Sequence, residues 1–119
     1  MGGATNIMTT SATKTWETKR TDETRGIEEL LGKAFEQANA YRYNSASIRV
    51  RVIDSQFEGM PREKRDSLVE EQLAKLPPET QRDIVTLFTF APSELSNAPT
   101  TFREFMQNRE FDDPSPSML

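Results

Sequence analysis

A stretch near the middle of the chain alternates between apolar and basic residues. Ile48, Val50 and Val52 alternate with Arg49 and Arg51. A period of two is typical of a β-strand with one buried face and one face in water. The pattern predicts a strand with a core face and an exposed basic face.

A turn, a helix and a second strand are predicted to follow this strand. Residues 57–59 read Phe-Glu-Gly and indicate the turn, and Pro61 suits the first helical turn, where its missing N–H would be unpaired anyway. Pro77 and Pro78 end the helix because neither donates a helical hydrogen bond. Residues 84–90 are β-branched and aromatic, which favours a strand. The helix stripe is Leu68, Val69, Leu73 and Leu76, with Gln72 beside it.

Two further helices are predicted around this central part. The first covers residues 21–39, with Thr21 or Asp22 as its cap. The last begins at Thr101, which with Glu104 has the spacing of a capping box. The stripe of the first helix is Ile27, Leu30, Leu31, Ala34, Phe35 and Ala38, and that of the last is Phe102, Phe105 and Met106.

Shorter elements complete the predicted order. Residues 41–43 are expected to form a short strand that turns at Asn44 and Ser45 into the central strand. Residues 91–95 are expected to form a turn or a short helical segment. Together the elements predict an α+β two-layer sandwich, in which helices cover one face of a two- or three-stranded sheet and the other face stays exposed.

The ends of the chain offer little to bury. Residues 1–21 are rich in Thr, Ser, Gly and Lys, and residues 111–119 are rich in Asp, Pro and Ser. Such composition is typical of disorder. We therefore predict a disordered arm at 1–21, one domain at 22–110 and a disordered tail at 111–119.

The 119 residues include no cysteine and no histidine. Disulfides, zinc fingers, thiolate nucleophiles, histidine bases and cysteine-ligated iron–sulfur clusters are thereby excluded within the chain. Nothing in the sequence marks a perturbed acid or base, so neither an enzyme nor a bound cofactor is predicted. No apolar run is long enough to span a membrane, and the N-terminus lacks the apolar core of a signal peptide, which predicts a cytoplasmic location.

The segments FEGMPREKRDSLV and DIVTLFTFAP resemble those of the BolA family. That family has a Phe-(Glu or Thr)-Gly turn, a helix with Arg-His-Arg-(Leu or Met)-(Val or Ile), and a strand that leads from His-Ala-Leu into Thr-Tyr-Thr-Pro. Its helix motif corresponds to Arg65, Asp66, Leu68 and Val69 here. The resemblance covers about half of the chain.

The resemblance implies an αββααβα fold related to the class II KH domain. It also implies binding to monothiol glutaredoxins, a bridged [2Fe–2S] cluster and, in some members, DNA binding. The two histidines of the family fall at Asp66 and Asp83 in this sequence. Because a carboxylate is a poor substitute for an imidazole on such iron, the chain is predicted to be an adaptor that does not itself ligate a cluster.

A local basic surface is predicted in this acidic protein, whose net charge is −4. Residues 42–65 hold six basic and three acidic side chains. The leading hypothesis is contact with a protein partner, and the alternative is a nucleic-acid-binding regulator. Residues 58–61 are not the GxxG loop of a KH phosphate clamp, which weakens the alternative. The candidate contact residues are Arg42, Arg49, Arg51, Phe57, Glu58, Gly59, Arg62, Lys64 and Arg65.

Two smaller hypotheses concern a metal and an aromatic. If Asp66 and Asp83 lie together, they form a site for a hard cation such as Mg²⁺. Trp16, in the N-terminal arm, is a candidate for docking on another chain. The other large apolar residues are predicted mainly as core: Phe88, Phe90, Phe102, Phe105 and Met106. The oligomeric state stays open.

Overall fold

A computed structural model describes residues 14–96 and 102–117 of the chain. The predicted cap Thr101 and most of the predicted N-terminal arm lie outside the described residues. Within them the elements are, in order, a 3-10 helix (Thr15–Lys19), α1 (Asp22–Gly32), β1 (Gln37–Asn44), β2 (Ser47–Ile53), a 3-10 turn (Ser55–Phe57), α2 (Arg62–Leu73), α3 (Pro78–Asp83), β3 (Ile84–Phe90), α4 (Pro92–Ser96) and α5 (Phe102–Asp112).

The three strands form one mixed sheet in the order β1-β2-β3. β1 and β2 are antiparallel, with Ala40 opposite Val50. Asn44 closes their turn, because its side-chain oxygen accepts a hydrogen bond of 2.8 Å from the backbone N–H of Ala46. β3 lies parallel to β2, and α2 and α3 form the crossover that a parallel pair requires. The predicted α+β class and the hairpin are confirmed.

The main core lies between one face of the sheet and helices α1 and α2. Val50 and Val52 are fully buried there, in one cluster with Ile27 and Leu31 of α1 and Val69 of α2. Each apolar side chain of this size contributes about 1.5–3 kcal/mol when it is fully buried. The predicted core face of β2 is therefore confirmed.

The second face of the sheet is also covered, so the prediction of an open face is wrong. Trp16 and Phe111 pack on it against Tyr41, Phe88 and Phe90, and all five are buried. The alternation in β2 indicated a solvent-exposed face because the residues of β2 on that face, Arg49 and Arg51, are charged. The aromatic residues of β1 and β3 supply the apolar surface instead, and α5 with the N-terminal 3-10 helix covers it.

The packed part of the chain extends beyond the predicted limits of 22 and 110. Trp16 is only 5% exposed and Phe111 is fully buried. The Tyr43 hydroxyl donates a hydrogen bond of 2.8 Å to the backbone oxygen of Ser115. Composition alone cannot detect one buried aromatic residue within a polar segment.

The first helix is shorter than predicted and the first strand is longer. α1 ends at Gly32 and β1 begins at Gln37, so Ala34 and Ala38 do not belong to the helical stripe. Ala38 faces the main core from β1, because alternate residues of that strand point the same way. The predicted cap is confirmed, since the Thr21 hydroxyl accepts a hydrogen bond of 3.1 Å from the Thr24 N–H.

The central predictions agree closely with the structure. α2 begins after Pro61, and β3 covers residues 84–90 as expected. α2 ends at Leu73, before the predicted stop at Pro77, so Leu76 does not belong to its stripe, and the short helix α3 begins at Pro78. None of the described helices is long and apolar enough to cross a membrane.

Candidate functional site

Two of the predicted contact residues, Arg49 and Arg51, lie beneath α5. Nη1 of Arg49 donates to the Tyr41 hydroxyl at 3.2 Å and to the Glu110 carboxylate at 2.9 Å. Its guanidinium also stacks on the Tyr43 ring, 3.7 Å from the ring centre. Burial disfavours the charged form, but the hydrogen bonds with Tyr41 and Glu110 outweigh it and raise the pKa of Arg49.

Arg51 is more deeply buried, with 5% of its surface exposed. Its Nε and Nη2 donate to the Asn39 side-chain oxygen at 3.1 and 2.8 Å. Its Nη1 donates to Asn108 and to Asp112, both at 2.7 Å, and its guanidinium carbon lies 4.3 Å from the centre of the Phe111 ring. Arg51 therefore fastens α5 to the sheet and offers no surface to a partner.

The remaining basic candidates are also engaged, with one exception. Arg42 pairs with Glu23 at 2.8 Å and with Asp83 at 2.9 Å, and these bonds raise its pKa. Arg62 pairs with Glu104 at 2.9 Å. Lys64 is exposed and has no ion pair with any described residue. A continuous basic patch of the kind that binds a phosphate backbone is therefore not formed by these side chains.

Arg65 joins the turn, β3 and α4. It is 5% exposed and makes two hydrogen bonds of 2.8 Å with the carboxylate of Glu94. It also donates to the backbone oxygens of Met60 and Thr89, at 2.8 and 3.2 Å. The bonds from Arg65 hold the pKa of Glu94 below its ordinary value, against the opposing effect of burial.

The Arg65–Glu94 pair predicts a loss of stability in acid. Because this pKa is lowered by folding, the ionised Glu94 carboxylate stabilises the folded state above its unfolded-state pKa. That contribution to stability disappears as the pH falls through the folded-state pKa. Glu94→Gln should lose about 1–3 kcal/mol near neutral pH and show a weaker decline in melting temperature below about pH 5. Glu71→Gln, at an exposed position of α2, is the control. Parallel pH profiles for wild type and Glu94→Gln would contradict the assignment.

The turn at residues 57–60 keeps only part of its predicted role. Phe57 is fully buried in the main core, so it cannot contact a partner. Gly59 has a φ of +71°, the left-handed conformation that favours glycine. Glu58 is exposed, and its carboxylate accepts hydrogen bonds from the Ser93 hydroxyl and backbone N–H at 2.6 and 3.2 Å. Glu58, Gly59 and Lys64 are thus the exposed candidates.

Asp66 and Asp83 do not form a joint metal site. Asp66 accepts a hydrogen bond of 2.8 Å from the Thr89 hydroxyl, near the end of β3, whereas Asp83 pairs with Arg42 just before β3 begins. Six strand residues at about 3.3 Å each place the two roughly 20 Å apart. No cluster of three or more metal-ligating side chains occurs in the described ranges.

An exposed apolar face on α5 is the feature that the sequence interpretation missed. Phe102, Phe105 and Met106 are 68%, 39% and 43% exposed, although they were predicted as core. They occupy the i, i+3 and i+4 positions of one helix face. An adjoining face uses Asn108, Asp112 and Phe111 to meet the sheet.

A shallow groove and two positively charged side chains border this face. The groove measures about 250 Å³ and is lined by Leu95, Phe105, Asn108, Arg109, Asp112 and Asp113. Arg103 and Arg109 are exposed and form no ion pair within the described residues. The apolar face of α5, which we define as Phe102, Phe105 and Met106, is therefore flanked by the positive charges of Arg103 and Arg109, with the carboxylate of Asp113 in the groove.

Two solved structures that resemble this chain are BolA proteins. BolA1 from Arabidopsis thaliana matches with a TM-score of 0.50 and 22% identity, over 63% of this chain and 98% of its own length. The solution structure of BolA1 from Mus musculus matches with a TM-score of 0.52 and 23% identity, over 83% of this chain and 80% of its own. The chain thus has a BolA-like fold. No protein-family model matches the sequence, and a search of curated proteins also found no match.

Proposed function

We propose that the protein is a non-enzymatic interaction module with a BolA-like fold, and that it binds a partner protein through the apolar face of α5. Three of the four large hydrophobic residues exposed within the described ranges lie on this one helix face. Exposed apolar side chains that cluster in this way mark interaction sites, whereas isolated ones do not. This clustering is the observation that carries the proposal.

The surroundings of the apolar face favour a protein partner over nucleic acid. The groove beside Phe105 and Leu95 can hold one apolar side chain of a partner. Arg103 and Arg109 can pair with partner carboxylates around it. By contrast, five of the six predicted basic contact residues already pair with carboxylates of this protein. The exposed part of the turn, at Glu58, Gly59 and Lys64, remains a proposed second contact.

The partner that the resemblance suggests is a monothiol glutaredoxin. Because the chain holds no cysteine and no histidine, it supplies neither of the usual side-chain ligands of an iron–sulfur cluster. We therefore propose an adaptor that binds the glutaredoxin surface and leaves cluster ligation to its partner.

The proposal predicts that a charge on the apolar face abolishes binding. Phe102→Asp combined with Met106→Asp should weaken the affinity for a monothiol glutaredoxin by about tenfold or more, because central apolar anchors carry most of the binding energy. The melting temperature should stay unchanged, since both side chains are exposed. Isothermal titration calorimetry with the purified partner measures the affinity.

Ala34→Asp is the matched control, because Ala34 is exposed in the turn between α1 and β1, away from α5. It should bind like the wild type. Equal affinities for wild type and the double variant would place the contact elsewhere. Failure of the wild type to bind any monothiol glutaredoxin would reject that partner.

A further inference from the structure

We propose that the free edge of β3 and the adjoining side of α2 form a second docking site, for an extended segment with basic and apolar side chains. A groove of about 270 Å³ lies between the two elements. It is lined by Glu70 and Leu73 of α2, by Gln81, and by residues 84–87 of β3. The site shares no residue with the apolar face of α5, so it stands independently of the proposed function.

The backbone of β3 has hydrogen-bonding groups to offer along this edge. β3 is the last strand of the sheet. The Phe90 carbonyl accepts from the Asp54 N–H at 3.1 Å, on the β2 side, whereas the Thr89 carbonyl accepts from Arg65 on the other side. Because the direction alternates along a strand, Leu87 points its N–H and C=O to the same outer edge as Thr89. No described strand pairs with that edge.

Two features limit how long the added segment can be. The register passes from Ile84 to Thr86 and leaves Val85 without a partner on β2, and such a bulge ends regular pairing. At the other end Arg65 occupies the Thr89 carbonyl. The edge between them fits a segment of about four residues. Short extended peptides commonly bind in this way, as an added strand at the edge of a sheet.

The charge around the groove selects the occupant. Glu70 lines the groove, and Asp66 lies one turn before it on α2. The hydrogen bond from Thr89 to Asp66 fixes that side of α2 against the strand. β3 itself carries no charged residue. The carboxylates on this side of α2 complement a lysine or arginine side chain. Leu73 and the apolar residues of β3 that line the groove accept an apolar side chain. In an extended segment these two side chains are two residues apart.

Neither a second copy of the chain nor its own N-terminal residues suit this groove. Pairing two copies through β3 would bring the acidic rows of both α2 helices together, which is unfavourable. Residues 1–13 contain no lysine or arginine, so they lack the complementary charge. A basic segment of another protein is the occupant that the observations favour.

The test is an amide NMR titration of the labelled protein with a short capped peptide in which valine and lysine lie two residues apart, with threonine at the positions between them. We expect shifts confined to Val85, Thr86 and Leu87 and to Glu70. Glu70→Lys should weaken binding by about threefold or more, whereas Glu71→Lys, which lies outside the groove, should bind normally. The same peptide with glutamate in place of lysine should not bind. An N-methylated form of the lysine peptide should also fail, because it lacks the N–H groups of an added strand.

Each alternative outcome contradicts a different part of the proposal. Equal shifts from the lysine and glutamate peptides would remove the charge argument, and binding of the N-methylated peptide would remove the strand-addition argument. Shifts of residues 85–87 that depend on protein concentration without peptide would identify a second copy as the occupant. The variants that are expected to lose binding differ between this experiment and the glutaredoxin experiment. The two proposals can therefore fail separately.

Discussion

Arg51→Glu is expected to lower the free energy of unfolding by about 3–5 kcal/mol, the usual effect of breaking a buried ion pair. The new carboxylate would lie beside Asp112 and would remove the two hydrogen bonds that Arg51 donates to the side-chain oxygen of Asn39. Since small proteins are stable by only about 5–15 kcal/mol, much of the variant should be unfolded. Denaturant unfolding followed by circular dichroism measures the change.

Arg109→Glu is the control for this variant. Arg109→Glu makes the same change of charge, but at an exposed residue of α5. Substitutions at exposed positions usually alter stability by about 0.5 kcal/mol or less. Similar stability for the two variants would contradict the buried position of Arg51. A loss of partner binding in Arg51→Glu would in any case report unfolding and not a contact surface.

The fold was largely predictable because its main core follows simple periodicity. The alternation of Val50 and Val52, and the helical spacing of Val69 and Leu73, place these residues on the faces that are buried. Pro61 marked the start of α2 because the backbone restrictions of proline act locally. Such features depend on neighbouring residues alone, and a single sequence displays them.

The covered second face was not predictable in the same way. Arg49 and Arg51 are polar by composition, and only their long-range partners Glu110 and Asp112 make their burial favourable. Those partners lie about sixty residues away in sequence, beyond the reach of any local pattern. A strand that carries arginines at alternate positions therefore resembles a solvent-exposed basic face when the sequence around it is considered alone.

The exposed face of α5 was missed for a related reason. Its spacing correctly predicted a helix, but periodicity does not say which face of a helix is buried. Here the buried face uses Asn108 and Asp112, because it lies on arginines, and the apolar residues are left outside. The sequence did contain one signal of the buried face: Asn108 and Asp112 are polar and four residues apart, a spacing that allows both to pair with Arg51.

Phe111→Ala is expected to destabilise the protein by about 3–5 kcal/mol, the usual cost of removing a buried phenylalanine side chain. Phe111 is fully buried, and its ring contacts Trp16, Tyr41 and Phe88 at centre distances of 5.4, 4.7 and 6.3 Å. The chain has one tryptophan, so the fluorescence of Trp16 reports this layer directly. We expect a lower melting temperature and a red-shifted emission, as water reaches the indole.

Phe105→Ala separates this effect from any general requirement for aromatic residues on α5. Phe105 is 39% exposed on the same helix, so its replacement should cost much less and leave the emission of Trp16 unchanged. It should weaken binding through the apolar face of α5, whereas a folded fraction of Phe111→Ala should retain it. If Phe105→Ala were the more destabilising variant, α5 would have to pack on the sheet through the opposite face, and both the covered second layer and the proposed contact surface would be wrong together.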